Sequence, residues 1–208
     1  MTDGAVLVFS RTPLPGTVKS RLVPVLGAAG AADLYRGLVR RTLDTARRAA
    51  PAAIELWCTP DPGDEFLRDF AVSHGVTLHS QQGGDLGERM ERALAEALQR
   101  HPCAVLVGCD CPELEPADLR RAVSALAAGA QVVLGPAKDG GYYLVGMGGG
   151  VADIFRDIDW GTARVMAQTR ERLRQRSIAH VELASRRDLD DAADLAHYLA
   201  SAGVPPAA

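Results

Sequence analysis

Three stretches place charged side chains among glycine or proline directly after a short apolar run, which is how a chain delivers chemistry to the end of a strand. The first is Arg11-Thr12-Pro13-Leu14-Pro15-Gly16-Thr17-Val18-Lys19-Ser20-Arg21, following the apolar run 5–9. Gly16 permits an unusual backbone angle and close approach, nearby N–H groups can converge on an oxyanion, and Lys19, Arg21 and Arg11 supply positive charge. Neither the P-loop spacing nor the dinucleotide glycine fingerprint is present. A basic surface loop stiffened by two prolines is the plainer alternative. The second stretch is Val105-Leu106-Val107-Gly108-Cys109-Asp110-Cys111-Pro112. A carboxylate at Asp110, just past a strand, suits Mg²⁺ or Mn²⁺ held against a diphosphate, because hard ions take carboxylate oxygen; otherwise it shapes the turn before Pro112.

The third stretch, Gly135-Pro136-Ala137-Lys138-Asp139-Gly140-Gly141-Tyr142-Tyr143, combines space with charge. Gly140 and Gly141 leave room for a ligand beside Lys138 and Asp139, and one tyrosine, Tyr142 or Tyr143, packs on a sugar or base while the other faces the core. A tight hairpin turn accounts for the same residues. A fourth segment, Gly83-Gly84-Asp85-Leu86-Gly87-Glu88, feeds a helix start whose N–H groups can receive an anion, with Gly84 and Asp85 nearest; capping by Asp85 is an equal reading. A lone Asp110 needs a second carboxylate. Asp188, Asp190, Asp191 and Asp194 supply candidates, of which Asp190 or Asp191 is a ligand and the others are helix-start charges. The five histidines lie outside all these loops, so a covalent triad is not expected.

The elements that must position these residues alternate in type. Strands are expected at 5–9, 54–58, 76–79, 103–108, 132–134, 142–146 and 179–183. Helices are expected at 28–49, 64–73, from 85 onward, 115–128, 162–176 and 191–200. Strands separated by helices predict βαβ units in a mostly parallel sheet with helices on both faces. The short gap between the strands at 132–134 and 142–146 cannot hold a crossover helix, so this pair is expected to run antiparallel. The loops at Gly16 and Asp110 should then meet at one end of adjacent strands.

Composition narrows the partners. The chain has 208 residues, 47% hydrophobic and 24% charged, with a net charge of −3, so a basic field for gripping nucleic acid is absent. Only two of the 23 basic residues, Lys19 and Lys138, are lysine, and each sits in a glycine-containing loop after a strand-like run. The four cysteines form no CxxC pair and read as buried thiols. Asp3 and Arg11 in the opening stretch argue against a targeting peptide, and no run approaches 18 apolar residues. A single domain at 1–203, a frayed tail at 204–208, no membrane span and a cytoplasmic location are expected.

Together, Phe9-Ser10-Arg11 through Pro15-Gly16-Thr17-Val18-Lys19-Ser20-Arg21-Leu22, Gly84-Asp85-Leu86-Gly87-Glu88-Arg89-Met90, Gly108-Cys109-Asp110-Cys111-Pro112, Lys138-Asp139-Gly140-Gly141-Tyr142 and Trp160-Gly161-Thr162 resemble a glycosyltransferase-like family with members linked to arsenosugar biosynthesis. That family is similar to the nucleotide-diphospho-sugar transferase superfamily, which also holds molybdenum-cofactor and 2-phospho-lactate guanylyltransferases. The resemblance implies a Rossmann-like mixed sheet of the GT-A type, a nucleotide over the opening loop and a Mg²⁺ or Mn²⁺ ion at Asp110. Two features depart from the wider pattern: the opening loop is poor in glycine, and Asp110-Cys111-Pro112 stands where many glycosyltransferases have Asp-x-Asp.

The expected activity is metal-dependent transfer from a nucleotide-activated sugar to a small-molecule acceptor. The alternative is a nucleotidylyltransferase that joins a nucleoside triphosphate to a phosphorylated acceptor and releases pyrophosphate. In the first case Lys19 and the ion at Asp110 neutralise the departing nucleoside diphosphate. Asp139 deprotonates the acceptor, with Asp190 as another base or as the second metal ligand. Trp160 offers a flat face to a sugar ring, or merely plugs the core.

Overall fold

The computed structural model of the chain describes residues 2–201; the tail expected at 204–208 lies outside the described residues. In chain order the elements are β1 (Thr2–Arg11), α1 (Val23–Ala49, entered through a 3-10 turn at Ser20–Leu22), β2 (Pro51–Thr59), α2 (Glu65–His74), β3 (Thr77–Ser80), α3 (Leu86–Leu98), β4 (Cys103–Gly108), α4 (Pro116–Ala127), β5 (Val132–Pro136), β6 (Tyr142–Gly148), α5 (Val165–Gln175), β7 (His180–Glu182) and α6 (Ala192–Ser201). The strands form one sheet in the order β3-β2-β1-β4-β6-β5-β7. Neighbours run parallel except for β6, which is antiparallel to both β4 and β5. This is a Rossmann-like, mostly parallel sheet of the GT-A type with helices on both faces.

Strand alternation sorts the core into two layers. Val6, Val8, Val105 and Val107 face one way and pack with Leu38, Leu43, Leu67 and Leu119 from α1, α2 and α4. Ala5, Leu7, Ala104 and Leu106 face the other way, onto Met90 and Leu94 of α3 and Met166 and Leu173 of α5. Successive side chains of a strand point to opposite faces, so a strand buried on both sides reads as an unbroken apolar run. β1 and β4 are adjacent and in register from Ala5 opposite Ala104 to Phe9 opposite Gly108. The chain winds outward through β2 and β3 on one side of β1, then crosses to β4 on the other. The connections leaving β1 and β4 therefore diverge, and a crevice opens at their carboxyl ends.

α1 begins earlier than the expected 28–49. It starts at Val23 with Pro24 in its first turn, and the non-helical Gly27, at φ 69°, kinks it. From Ser20 to Ala49 this helical segment is long and apolar enough, by composition alone, to pass for a membrane span. Here it lies along the sheet, burying Ala31, Ala32, Tyr35, Leu38, Val39 and Leu43. The expectation that no such segment exists is corrected on composition. The small apolar residues that pack on the strands here, Ala31 and Ala32, raise its mean hydropathy as a by-product of burial.

Candidate active site

The crevice between the carboxyl ends of β1 and β4 widens into a cleft of about 780 Å³, within the range that small-molecule sites occupy. Thr17 to Arg21, Asp110, Asp188 and Asp190 line one side. Leu86, Arg89 and Met90 of α3 line the other, with Tyr142 and residues 160–163. Tyr35 lies toward the floor, its hydroxyl accepting the Arg11 N–H at 2.9 Å. Gln81 closes the β2 end and donates both amide hydrogens, to the carbonyls of Ser10 (3.0 Å) and Trp57 (2.8 Å).

The charged side is tied together from distant parts of the chain. After β7, Arg186 clamps the buried carboxylate of Asp118 on α4 with two bonds of 3.0 and 3.1 Å, while Asp118 accepts the Glu115 N–H and completes that helix's capping box. Arg187 N–H bonds Glu113 at 2.9 Å, and Leu189 N–H bonds the Asp110 carbonyl at 2.8 Å. Leu189 is buried in the core, so the alternation of an extended segment turns Asp188 and Asp190 together toward the cleft.

Lys19 reaches into this group. Its ammonium lies 2.5 Å from Asp110 Oδ1 and 2.9 Å from Asp190 Oδ1, and donates to the Leu189 carbonyl at 2.6 Å. The Lys19 side chain is 4% exposed. Burial works against its charge, but Asp110 and Asp190 outweigh it and hold the ammonium above the ordinary lysine value. Asp188 feels the opposite balance. Burial, then the neighbouring charges of Asp110, Asp139 and Asp190, push its carboxyl up to about 7, and its Oδ1 is buried without a hydrogen-bond partner.

No group of three or more metal-ligating side chains is poised around a point among the described residues. The donors themselves still suit Mg²⁺ or Mn²⁺. They are carboxylate oxygens, and the unpartnered Asp188 Oδ1 adds an acceptor that the single Lys19 ammonium does not reach. Asp110 and Asp190 are the residues that would hold such an ion.

The opposite side is packed rather than paired. A methyl group on Gly87 would sit 2.8 Å from both the Trp160 ring and the Phe155 carbonyl, so the absence of a side chain there lets the indole seat on α3. The rings of Trp160 and Tyr142 meet edge to face, with centroids 6.2 Å apart and planes at 87°. The Tyr142 hydroxyl is buried, and burial raises its pKa; the ring, not the hydroxyl, borders the cleft. Gly140, at φ 94°, abuts the Ala163 backbone, and its carbonyl accepts the Met166 N–H at 2.8 Å. The β5–β6 turn is thereby docked on the start of α5. Within that turn Asp139 Oδ1 accepts the Gly141 N–H at 2.9 Å, and the residue lines the cleft.

Of the residues singled out from sequence, Arg11, Lys19, Arg21, Asp110, Asp139, Gly141, Tyr142, Trp160 and Asp190 line this one cleft. Gly16, Gly84, Asp85, Lys138 and Gly140 do not. Gly16 shapes the loop at φ 79°, and Asp85 caps α3 by accepting the Glu88 N–H at 2.8 Å. The Gly84 N–H is taken by Glu88 Oε2 at 2.9 Å, and Lys138 points to solvent beyond the turn. Asp191 caps α6, accepting the N–H groups of Ala193 and Asp194. Gln81 and Tyr35 are cleft residues outside every motif; Arg89 lies within a motif but has no role there, and Asp188 lines the cleft although the sequence groups it with the helix-start charges. For Asp188 the signal was present: its two-residue spacing from Asp190 across a leucine is that of one face of an extended segment.

Residues 42–162, more than half of the chain, match the family described as uncharacterized protein conserved in bacteria (DUF2064). A Desulfovibrio desulfuricans G20 structure, provisionally described as a nucleotide-diphospho-sugar transferase, is 32% identical with a TM-score of 0.88, over 97% of this chain and 88% of that one. A nucleotidyl transferase from Methanothermobacter shares the fold at 13% identity and TM-score 0.63, over 97% of this chain and 100% of its own. Glucosyl-3-phosphoglycerate synthase from Mycobacterium tuberculosis, solved with Mn²⁺ and uridine diphosphate, does so at 13% identity and 0.55, over 99% and 82%. No functionally curated protein matches the chain. The chain belongs to the DUF2064 family and shares the fold of nucleotide-diphospho-sugar and nucleotidyl transferases.

Proposed function

We propose that this protein transfers a sugar from a nucleotide-activated donor to a small-molecule acceptor. One observation carries the reading: a carboxylate pair, arginines without a described carboxylate partner and Asp139 border a single cleft of about 780 Å³ at the β1–β4 crevice. The description of the 32%-identical relative supports it. The donor's diphosphate lies along the loop 17–21, where Arg21 forms no ion pair with any described carboxylate and so has a charge to offer. Asp110 and Asp190 would hold Mg²⁺ or Mn²⁺, and a bound ion would supply positive charge against that of the leaving diphosphate.

Asp139 Oδ2 takes the proton of the acceptor hydroxyl as that oxygen bonds to the sugar carbon and the bond from carbon to the diphosphate oxygen breaks. Its other oxygen is fixed by the Gly141 N–H, which orients the carboxylate. Tyr142 and Trp160 wall the sugar side with ring surface and exclude water. A second reading, nucleotidyl transfer from a nucleoside triphosphate, is favoured by Arg11, Arg21 and Arg89, three guanidinium groups on the cleft with no described carboxylate partner. A thermal-shift panel of nucleotide sugars and nucleoside triphosphates with Mn²⁺ separates the two. Preferential stabilisation by a nucleotide sugar is the expected result. Preference for a triphosphate, with pyrophosphate released on adding a phosphorylated acceptor, would replace the first reading by the second.

A further inference from the structure

We infer that Lys19 is a built-in counter-ion that keeps the Asp110–Asp190 pair closed to free divalent cations until a polyphosphate arrives to receive its ammonium. The inference rests on the reading of this cleft as a nucleotide site, and it concerns the order in which the cleft fills.

An ammonium has three N–H donors, and in Lys19 all three have acceptors: Asp110 Oδ1 at 2.5 Å, Asp190 Oδ1 at 2.9 Å and the Leu189 carbonyl at 2.6 Å. The contact is built in. The Lys19 side chain is 4% exposed, and its backbone adopts φ 49°, ψ 43°, a left-handed conformation that a non-glycine residue occupies at a cost. The choice of residue fits the geometry. In a chain where all but two of 23 basic residues are arginine, a compact ammonium stands where three acceptors converge, an arrangement that a planar guanidinium fork does not match.

A divalent cation that takes the same two carboxylate oxygens must therefore displace the ammonium. Alone, it would leave a buried ammonium beside a doubly charged ion with the Leu189 carbonyl as its one remaining acceptor of the three, which is unfavourable on both counts. A diphosphate changes the balance because its oxygens bind the cation and accept from the released ammonium at once. Asp188, with its unpartnered Oδ1, and Asp139 line the same cleft and leave more carboxyl oxygen beside the pair than one ammonium can reach, so a further cation still finds acceptors once the exchange is possible. Cation and polyphosphate then bind with positive coupling, and Lys19 sets the coupling.

The test is a Mn²⁺ titration of the whole protein, with free Mn²⁺ followed by electron paramagnetic resonance, without and with inorganic pyrophosphate. Lys19→Met keeps the reach of the side chain and removes its charge. Lys19→Gln serves the same purpose should circular dichroism show the methionine variant unfolded, and Lys19→Arg retains the charge. Without pyrophosphate, the uncharged variant should bind Mn²⁺ about tenfold or more tightly than wild type, within the usual span of coupling between two ligands. Lys19→Arg, which keeps the charge on a fork that fits the three acceptors less well, should bind Mn²⁺ more weakly than the uncharged variants. Pyrophosphate should abolish or reverse the difference. Equal or weaker Mn²⁺ binding by the folded uncharged variants overturns the inference. The Mn²⁺ arm contains no nucleotide, so its failure is distinct from failure of the transferase reading, which the nucleotide panel judges on wild type alone.

Discussion

The two sides of the cleft are built on opposite principles. On the loop 17–21 and the strap 186–190, side chains from positions 19, 110 and 190 are held to one another by charge and hydrogen bonds between remote segments. On the α3–α5 side the chain is held by backbone approach. Gly87 and Gly140 admit Trp160 and Ala163 to distances at which no Cβ fits. A wall of exchangeable ion pairs can reorganise when an anion or cation arrives. A wall closed by missing side chains is fixed, and keeps the rings of Tyr142 and Trp160 in place whatever is bound. Asp139 sits at the seam, its turn docked on the rigid side and its carboxylate close enough to the charged side to act on Asp188.

The sharpest way to separate the sides is at that seam. Asp139→Asn should leave nucleotide-sugar affinity nearly unchanged and lower turnover by about 10²–10⁴-fold, the reach of general base catalysis; calorimetry and steady-state rates on the same preparation check it. Loss of Mn²⁺-dependent binding with turnover per bound substrate intact would move Asp139 to the ligand set. Next in size, Gly140→Ala should destabilise the fold by about 2–4 kcal/mol in urea unfolding, since it combines overpacking against Ala163 with a left-handed backbone. An unaffected midpoint would show that the α5 side is not rigid at all.

On the charged side, Arg21→Ala should weaken a nucleoside diphosphate by about 1.5–3 kcal/mol, as for one charge-assisted bond, and hardly touch the bare nucleoside. Equal losses for both ligands would make Arg21 a structural residue. The smallest effect belongs to Asp85→Ala. Removing the α3 cap should cost about 1 kcal/mol of stability while nucleotide affinity stays at its wild-type value. A drop in affinity without a drop in stability would return this helix start to the anion site.

The fold was legible because its signals are local. β1 and β4 are unbroken apolar runs, α1 carries one apolar stripe, and the short link between β5 and β6 allows only a hairpin. The start of α1 was misplaced because Gly27 interrupts the pattern without ending the helix. Within the site, Asp110, Asp139 and Lys19 stood out because glycine or proline turns follow their strands. Asp188 stood among four aspartates of similar appearance. What distinguishes it is burial under its neighbours, a property of where the strap folds back and not of the residues beside it. Gly84 and Asp85 had the composition of an anion site, yet Glu88 and the helix itself use their polar groups.

From residue order alone, then, the chain dictates a mostly parallel sheet and brings its first loop, Asp110 and the Asp139 turn to one edge, because hydrophobic period and strand direction act over a few residues at a time. Only tertiary structure decided what those groups do to one another. Lys19 and Asp190 are separated by nearly the whole chain and meet because the β7 strap is pinned by Arg186 on Asp118 and by Leu189 on Asp110. Whether a lysine faces phosphate or is neutralised by two carboxylates depends on distances of a few ångströms between remote segments, since Coulomb energy and desolvation change steeply on that scale.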